Sequence, residues 1–229
     1  RSCGRARRQY GCRHGPVLTL PHKIAALAAS ANASPEARAI GAANTLARDA
    51  GGAWSAHNTD VAGFEIAMKA ALGGKPASSV VMIGAGGAAR AAIASLAKSG
   101  ARIAIVNRTE ANAKTLALQL APSASTGDLS KLAAFAEAAD IVVNSASLGH
   151  AGEPLPALPA GKGRPFLDLS YGKAVAGTLT AAASSGWTPH DGLPMLVGQA
   201  AAAFRIWFGI SPDEASALKA CREAVAARA

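Results

Sequence analysis

From residue 80 onward, short apolar runs alternate with longer stretches in which apolar residues recur every three or four positions. Residues 80–83, 102–106, 141–144 and 165–169 read as strands; residues 88–98, 110–120, 129–138 and 174–184 read as the helices between and around them. The run Val80, Val81, Met82, Ile83 is apolar throughout, as a strand covered on both faces requires. Strand and helix in this order predict an α/β fold with a parallel, doubly wound sheet, and helices over 193–208 and 213–227 end the chain.

The first third has a different rhythm. Residues 17–20 predict a short strand ended by Pro21, and residues 23–31 a helix. Ser34, Pro35 and Glu36 supply an N-cap, a first-position proline and an early acid, so a second helix starts there. Residues 45–48 and 53–57 flank Asp49, Ala50, Gly51 and Gly52 and predict a hairpin. Asn58 or Thr59 caps a helix over 60–72, and Gly73, Gly74, Lys75 and Pro76 break it as a linker.

Half of the residues are hydrophobic, enough to bury a core and to exclude a disordered polymer. Aromatic residues are only 4%, which argues against stacking platforms for single-stranded nucleic acid. No apolar run approaches bilayer-spanning length. Pro21, His22 and Lys23 interrupt the stretch after the basic N-terminus, so no signal peptide is expected and the expected location is cytoplasmic. Arg1, Arg5, Arg7, Arg8 and Arg13 bring a local +5 without an acid; of the net +9, only +4 is left for the rest. Such an arm can touch nucleic acid or anionic lipid, but an atypical terminus over residues 1–16 is the expectation, with no nucleic-acid and no membrane partner. The three cysteines, Cys3, Cys12 and Cys221, form no CxxC pair. Cys3, Cys12 and His14 lack a fourth ligand, so no metal is expected.

Gly84, Ala85, Gly86, Gly87 and Ala88 lie between a predicted strand and a predicted helix, the context that gives a glycine loop its meaning in a Rossmann-type fold. Gly84 permits a tight turn, and Gly86 lets backbone approach a pyrophosphate. The helix behind them offers amide donors and a positive dipole end to the anion. The next strand ends in Asn107, Arg108 and Thr109, where an NAD-binding fold carries an acid for the ribose hydroxyls. A neutral Asn107 beside a guanidinium suits a 2′-phosphate instead, so the expected cofactor is NADP, and Glu110 is read as the start of a helix.

Further motifs carry a family resemblance. Thr19-Leu20-Pro21-His22-Lys23, Ala43-Asn44-Thr45 and Asn58-Thr59-Asp60 resemble, in order, three signatures of the shikimate dehydrogenases. The loop from Gly84 to Arg90, the Asn107-Arg108-Thr109 clamp, and Asn144-Ser145-Ala146-Ser147-Leu148-Gly149 are similar to that family's cofactor segments. The stretch from Asp168 to Tyr171, Asp191-Gly192, Met195-Leu196-Val197 and Gln199-Ala200-Ala201 complete the set.

The resemblance implies an NADP-dependent oxidoreductase that interconverts shikimate and 3-dehydroshikimate, or acts on quinate or aminoshikimate. It implies Lys23 and Asp60 as the catalytic pair, and Thr19, Asn44, Tyr171 and Gln199 as substrate contacts. Gly84, Ala85, Gly86, Gly87, Ala88, Asn107, Arg108, Thr109, Asn144, Ser147 and Gly192 would contact the cofactor. Residues 1–59, with 193–229 returning, would form the substrate domain, and 60–192 the NADP-binding domain, in a monomer or homodimer.

Three departures accompany it. Residues 1–16 do not resemble the family's first strand and the serine pair that grips a carboxylate, so a truncated or altered N-terminus and an incomplete α/β substrate domain are expected. Val17 and Leu18 replace an expected asparagine, and Asn112 stands where a second basic clamp residue is expected, with Lys114 offset. The competing readings are a non-catalytic NADP-binding homologue and a protein that contacts nucleic acid through its arginine arm.

Overall fold

At residues 15–19 the backbone runs along the edge of a small sheet, where Val17 bridges Thr45 in antiparallel sense. Leu18 N–H donates to Asn44 O at 2.6 Å and Leu46 N–H to Pro16 O at 3.1 Å. The computed structural model describes residues 15–19, 22–49, 51–148 and 154–227. The strand expected over 17–20 is therefore a single bridge; Leu20, Pro21 and the arginine arm lie outside the described residues. Helix α1 (Lys23–Ala28), strand β1 (Asn32–Ala33) and helix α2 (Pro35–Ile40) follow. Ser34 Oγ accepts the Ala37 amide at 3.1 Å at the head of α2, and Gly41 ends it in the left-handed region at φ 72°. Strands β2 (Thr45–Arg48) and β3 (Trp54–His57) form the expected hairpin, and β1 joins β3 in parallel, giving the order β1-β3-β2.

Helix α3 (Asp60–Ala71) leads through the Gly73–Gly74 turn into strand β4 (Ser79–Ile83). Then come α4 (Gly87–Ser99), β5 (Arg102–Val106), α5 (Glu110–Leu120), β6 (Ser125–Gly127), α6 (Leu132–Ala136), β7 (Ile141–Asn144) and β8 (Pro165–Asp168). After them α7 (Ala176–Ser184), β9 (Thr188–His190), α8 (Leu193–Phe208) and α9 (Glu214–Ala226) end the chain. The second sheet has six strands in the order β6-β5-β4-β7-β8-β9, and each pairing is parallel. Successive residues of β4 feed opposite faces. Val80 and Met82 pack with Phe64, Ile93 and Leu116, while Val81 and Ile83 pack with Leu132, Ala136 and Ala182. This alternation makes the sheet doubly wound, and full burial of each such side chain stabilises by about 1.5–3 kcal/mol.

Two expected helices start with a tighter turn: Leu129–Lys131 and Gly172–Val175 are 3-10 segments that lead into α6 and α7. Helix α8 packs against α3 through glycines. A Cβ on Gly63 would stand 2.5 Å from Met195 O, and one on Gly198 would stand 3.0 Å from Gly63 Cα. Trp207 Nε1–H donates to Leu46 O at 2.8 Å and fastens the end of α8 to the small sheet. Among the described residues no helix is long and apolar enough to cross a membrane.

Candidate active site

Lys23 opens α1 and Asp60 opens α3, so two helix starts bring a cation and an anion together. Lys23 Nζ lies 2.6 Å from Asp60 Oδ2, with side chains 12% and 2% exposed. The other carboxylate oxygen, Oδ1, accepts the Asn44 amide at 2.8 Å. Asn44 is fully buried and crosslinks the cluster: its Nδ2 also donates to Thr59 Oγ1 at 3.0 Å, and its Oδ1 accepts the Thr59 amide at 2.7 Å. Asn58 Oδ1 accepts the Asp60 amide, and Asn58 Nδ2 donates to Ala42 O, both at 3.0 Å. Asp60 is thus pinned at a helix head, where the dipole favours negative charge. Lys23 keeps an edge open to solvent. Gln199 Oε1, from α8, stands 3.4 Å from Asn44 Nδ2 and completes the ring of polar groups. Of the sequence-predicted residues, Lys23, Asp60, Asn44 and Gln199 therefore converge. Thr19 is exposed, its carbonyl accepting the His22 amide at 3.0 Å.

The second feature is a cavity of about 250 Å³ at the carboxyl ends of β4, β5 and β7, where the strand order turns from one direction to the other. Gly84, Asn107, Arg108, Thr109 and Ser147 line it, as does Asn112. Gly84 has φ 104°, and a Cβ there would stand 2.6 Å from Ser145 Oγ. Gly86 differs: its φ of −83° is open to any residue and a Cβ would meet no protein atom within 4 Å. The first i to i−4 bond of α4 is Arg90 N–H to Gly86 O at 3.0 Å, so the amides of Gly87, Ala88 and Ala89 precede it as the donors a helix head leaves over. Open space above Gly86, spare amides and a positive helix end fit a dinucleotide pyrophosphate. Asn107 Nδ2 donates to Thr109 O at 2.9 Å and shapes the turn that presents the exposed Arg108. Glu110 opens α5 as expected and pairs at 3.0 Å with Lys114, one turn on.

Asn144, an expected cofactor contact, ends β7. It is fully buried, donating to Asp168 Oδ2 at 2.7 Å and Leu148 O at 3.2 Å and accepting the Ala146 amide at 3.1 Å. Its side chain is spent on holding the loop after β7. Gly192, another expected cofactor contact, is closely packed: a Cβ there would stand 2.1 Å from Leu169 O, and its N–H donates to Ser170 O at 2.8 Å. That contact supports the loop carrying Tyr171, which is 43% exposed. Of the two residues expected to cap the helix over 60–72, Asn58 accepts the Asp60 amide while the Thr59 side chain makes no cap bond and accepts from Asn44 instead, so both also brace the site. Among the described residues no group of three or more His, Cys, Asp or Glu could hold a metal ion.

Two family profiles match the chain: shikimate/quinate 5-dehydrogenase over residues 67–151 and shikimate 5′-dehydrogenase C-terminal domain over residues 192–222. The shikimate dehydrogenase (NADP(+)) of Hyphomonas neptunium is 43% identical over 213 residues, covering 93% of this chain and 78% of that protein. Among solved structures, shikimate 5-dehydrogenase from Thermus thermophilus in complex with NADP(H) and shikimate is 36% identical, with a TM-score of 0.79 over 96% of this chain and 83% of that one. Quinate dehydrogenase from Corynebacterium glutamicum in complex with NAD is 30% identical, with a TM-score of 0.78 over 89% of this chain and 75% of that one. A doubly wound dinucleotide-binding sheet beside a lysine–carboxylate site defines the class as a nicotinamide-dependent oxidoreductase. Within it, the chain belongs to the shikimate dehydrogenase family.

Proposed function

We propose that the protein interconverts shikimate and 3-dehydroshikimate, with NADP(H) as the hydride carrier. The observation that carries this reading is the nearly buried Lys23–Asp60 pair, with both carboxylate oxygens engaged and the lysine edge open. Oxidising a ring alcohol removes a hydride from carbon and a proton from oxygen. The nicotinamide, when bound, takes or returns the hydride. Lys23 Nζ holds the hydroxyl proton and passes it on, and Asp60 keeps the ammonium in one orientation. Asn44, Gln199, Thr19 and Tyr171 supply neutral donors and acceptors to the ring hydroxyls and carboxylate. The backbone over Gly84–Ala88 would cradle the pyrophosphate, with Ser147 at its edge, and Arg108, flanked by Asn107 and Thr109, would take the 2′-phosphate. Residues 1–59 with 193–229 serve the ring acid in this division, and 60–192 the cofactor.

The assay is NADPH absorbance with shikimate, quinate and aminoshikimate supplied in turn. Shikimate-dependent NADP+ reduction is expected, falling about 10²- to 10⁴-fold in Lys23→Ala while NADPH binding survives. Full activity in Lys23→Ala removes the catalytic assignment. NADPH binding without turnover of any ring acid by the wild type favours a non-catalytic homologue.

A further inference from the structure

Arg90, in the first turn of α4, takes no part in the chemistry just described, yet it ties α4 to the ends of α2 and α5. Its Nε–H donates to Ile40 O, the last residue of α2, at 2.9 Å, and its Nη1 donates to Gln119 Oε1, near the end of α5, at 2.8 Å. A helix end leaves its last carbonyls without partners within the helix, and the guanidinium takes one of them. Gly41 makes room for it: with φ 72°, a Cβ there would stand 3.1 Å from Arg90 Nη2. Both acceptors are neutral oxygens, and burial pulls the guanidinium below its ordinary pKa. A planar fork aims its donors at two elements in fixed directions, whereas an ammonium is a point charge on a flexible stem.

What lies at each end of this strut matters more than the strut. At one end, Arg90 N–H closes the first turn of α4 on Gly86 O, directly behind the open space above Gly86. At the other end, Ile40 leads into a buried segment that touches the lysine–carboxylate site at three points. Ala43 N–H donates to Lys23 O at 2.9 Å, Ala42 O accepts Asn58 Nδ2 at 3.0 Å, and Asn44 holds Asp60. Ala42 and Ala43 are 1% and 0% exposed, so the segment moves as a piece or not at all.

We infer that Arg90 is a positioning residue that couples the cofactor cleft to the Lys23–Asp60 site, so that each ligand tightens the other. A bracket serving stability alone would not need to join the head of the phosphate-cradling helix to the segment that holds Lys23, Asn44 and Asp60. The inference rests on the proposed function, and linkage makes the coupling the same measured from either ligand.

The test is titration of the full chain with NADPH, followed by its fluorescence, without and with saturating shikimate. Wild type is expected to bind NADPH about fivefold or more tightly with shikimate present, within the range typical of coupled sites. In Arg90→Met the ratio should fall to near one while affinity for NADPH alone is kept. Arg90→Lys, which keeps the charge and a single bond, should restore part of the ratio, and Gln119→Leu, which spares the Ile40 contact, should retain most of it. A lowered melting temperature in Arg90→Met with the ratio intact would reduce Arg90 to a bracket and overturn the inference. So would a wild-type ratio of one. Should Arg90→Met fail to fold, an unchanged ratio in Arg90→Lys overturns it equally. Wild type that binds neither ligand sinks the functional reading itself, a result distinct from binding both without coupling.

Discussion

Gly84 and Gly86 stand two places apart in one loop and are glycine for opposite reasons. Gly84 answers to the protein: φ 104° and a Cβ 2.6 Å from Ser145 Oγ leave no room for a side chain. Gly86 answers to nothing in the protein, since its φ is ordinary and its Cβ direction is open. Gly84→Ala should therefore cost about 1–3 kcal/mol of stability through strain and overpacking. Gly86→Val should lower the melting temperature only slightly, as a change at the N-cap of α4, and weaken NADPH at least about tenfold, since a side chain blocks close approach of a pyrophosphate. Paired melts and titrations check this; a Gly86 variant that melts early but binds normally contradicts it. The same contrast of cause applies to the lysine–carboxylate pair. Lys23→Met leaves Asp60, 2% exposed, without its cation and should cost about 3–5 kcal/mol, part of which Lys23→Met/Asp60→Asn recovers. Chemical denaturation of the single and double variants measures it. At the cofactor end, Arg108→Ala should weaken NADP(H) far more than NAD(H), because the 2′-phosphate is the only difference between them. Equal losses in parallel titrations of the two cofactors remove the assignment.

At the scale of elements, the buried strands were legible and the edge strands were not. β5 and β7 run over the residues their apolar runs predict, because central parallel strands must be apolar on both faces. β6 (Ser-Thr-Gly) and β9 (Thr-Pro-His) sit at the two edges, where polar residues and a proline are tolerated and leave no hydrophobic signature. β1 has only two residues. Arg164 was equally silent, because its partners are backbone oxygens, which no side-chain pattern announces. It donates to Gly161 O, Ala136 O, Glu137 O, Ala139 O and Ala160 O at 2.7–3.0 Å and lies 4.5 Å over the Trp187 ring. One side chain thus ties the end of α6 to the start of β8 and to β9's approach. Arg164→Met should cost at least about 2 kcal/mol, since several carbonyls lose a charged donor together, and Arg164→Lys should recover only part. Urea titration decides it, and a loss within about 0.5 kcal/mol, the ordinary range for a surface residue, contradicts it. Arg90 escaped the sequence for the same reason: its partner is a carbonyl fifty positions away in the chain.

For the whole molecule, the sequence carried the sheet's class and the order of the motifs, while the joints between the two sheets emerged only in three dimensions. Each sheet also carries one partly buried histidine whose protonation bears on stability. His57 lies at the end of β3, and His190 ends β9, beside the Asp191–Arg222 pair that docks α9 at 3.0 Å. Burial holds both imidazoles below their ordinary value of 6.5. Glu36 opposes the shift at His57; at His190, Asp191 opposes it and Arg222 reinforces it. Both side chains thus fold neutral, and the unfolded chain binds more protons wherever the pH lies below the ordinary value. Stability from this source is complete above about pH 7 and is lost as the pH falls through 6.5 toward the lowered folded values. Asp128 and Asp213, held below the usual carboxylate range first by the hydroxyls of Ser130 and Ser216, act in the same direction but only nearer their ordinary 3.8. Among the described residues, the slope between about pH 5 and pH 7 therefore belongs to His57 and His190. The melting temperature should fall across that window in the wild type and fall less in His57→Gln/His190→Gln. A wild-type melting temperature that rises on acidification, or a double variant with an unchanged slope, would contradict the assignment.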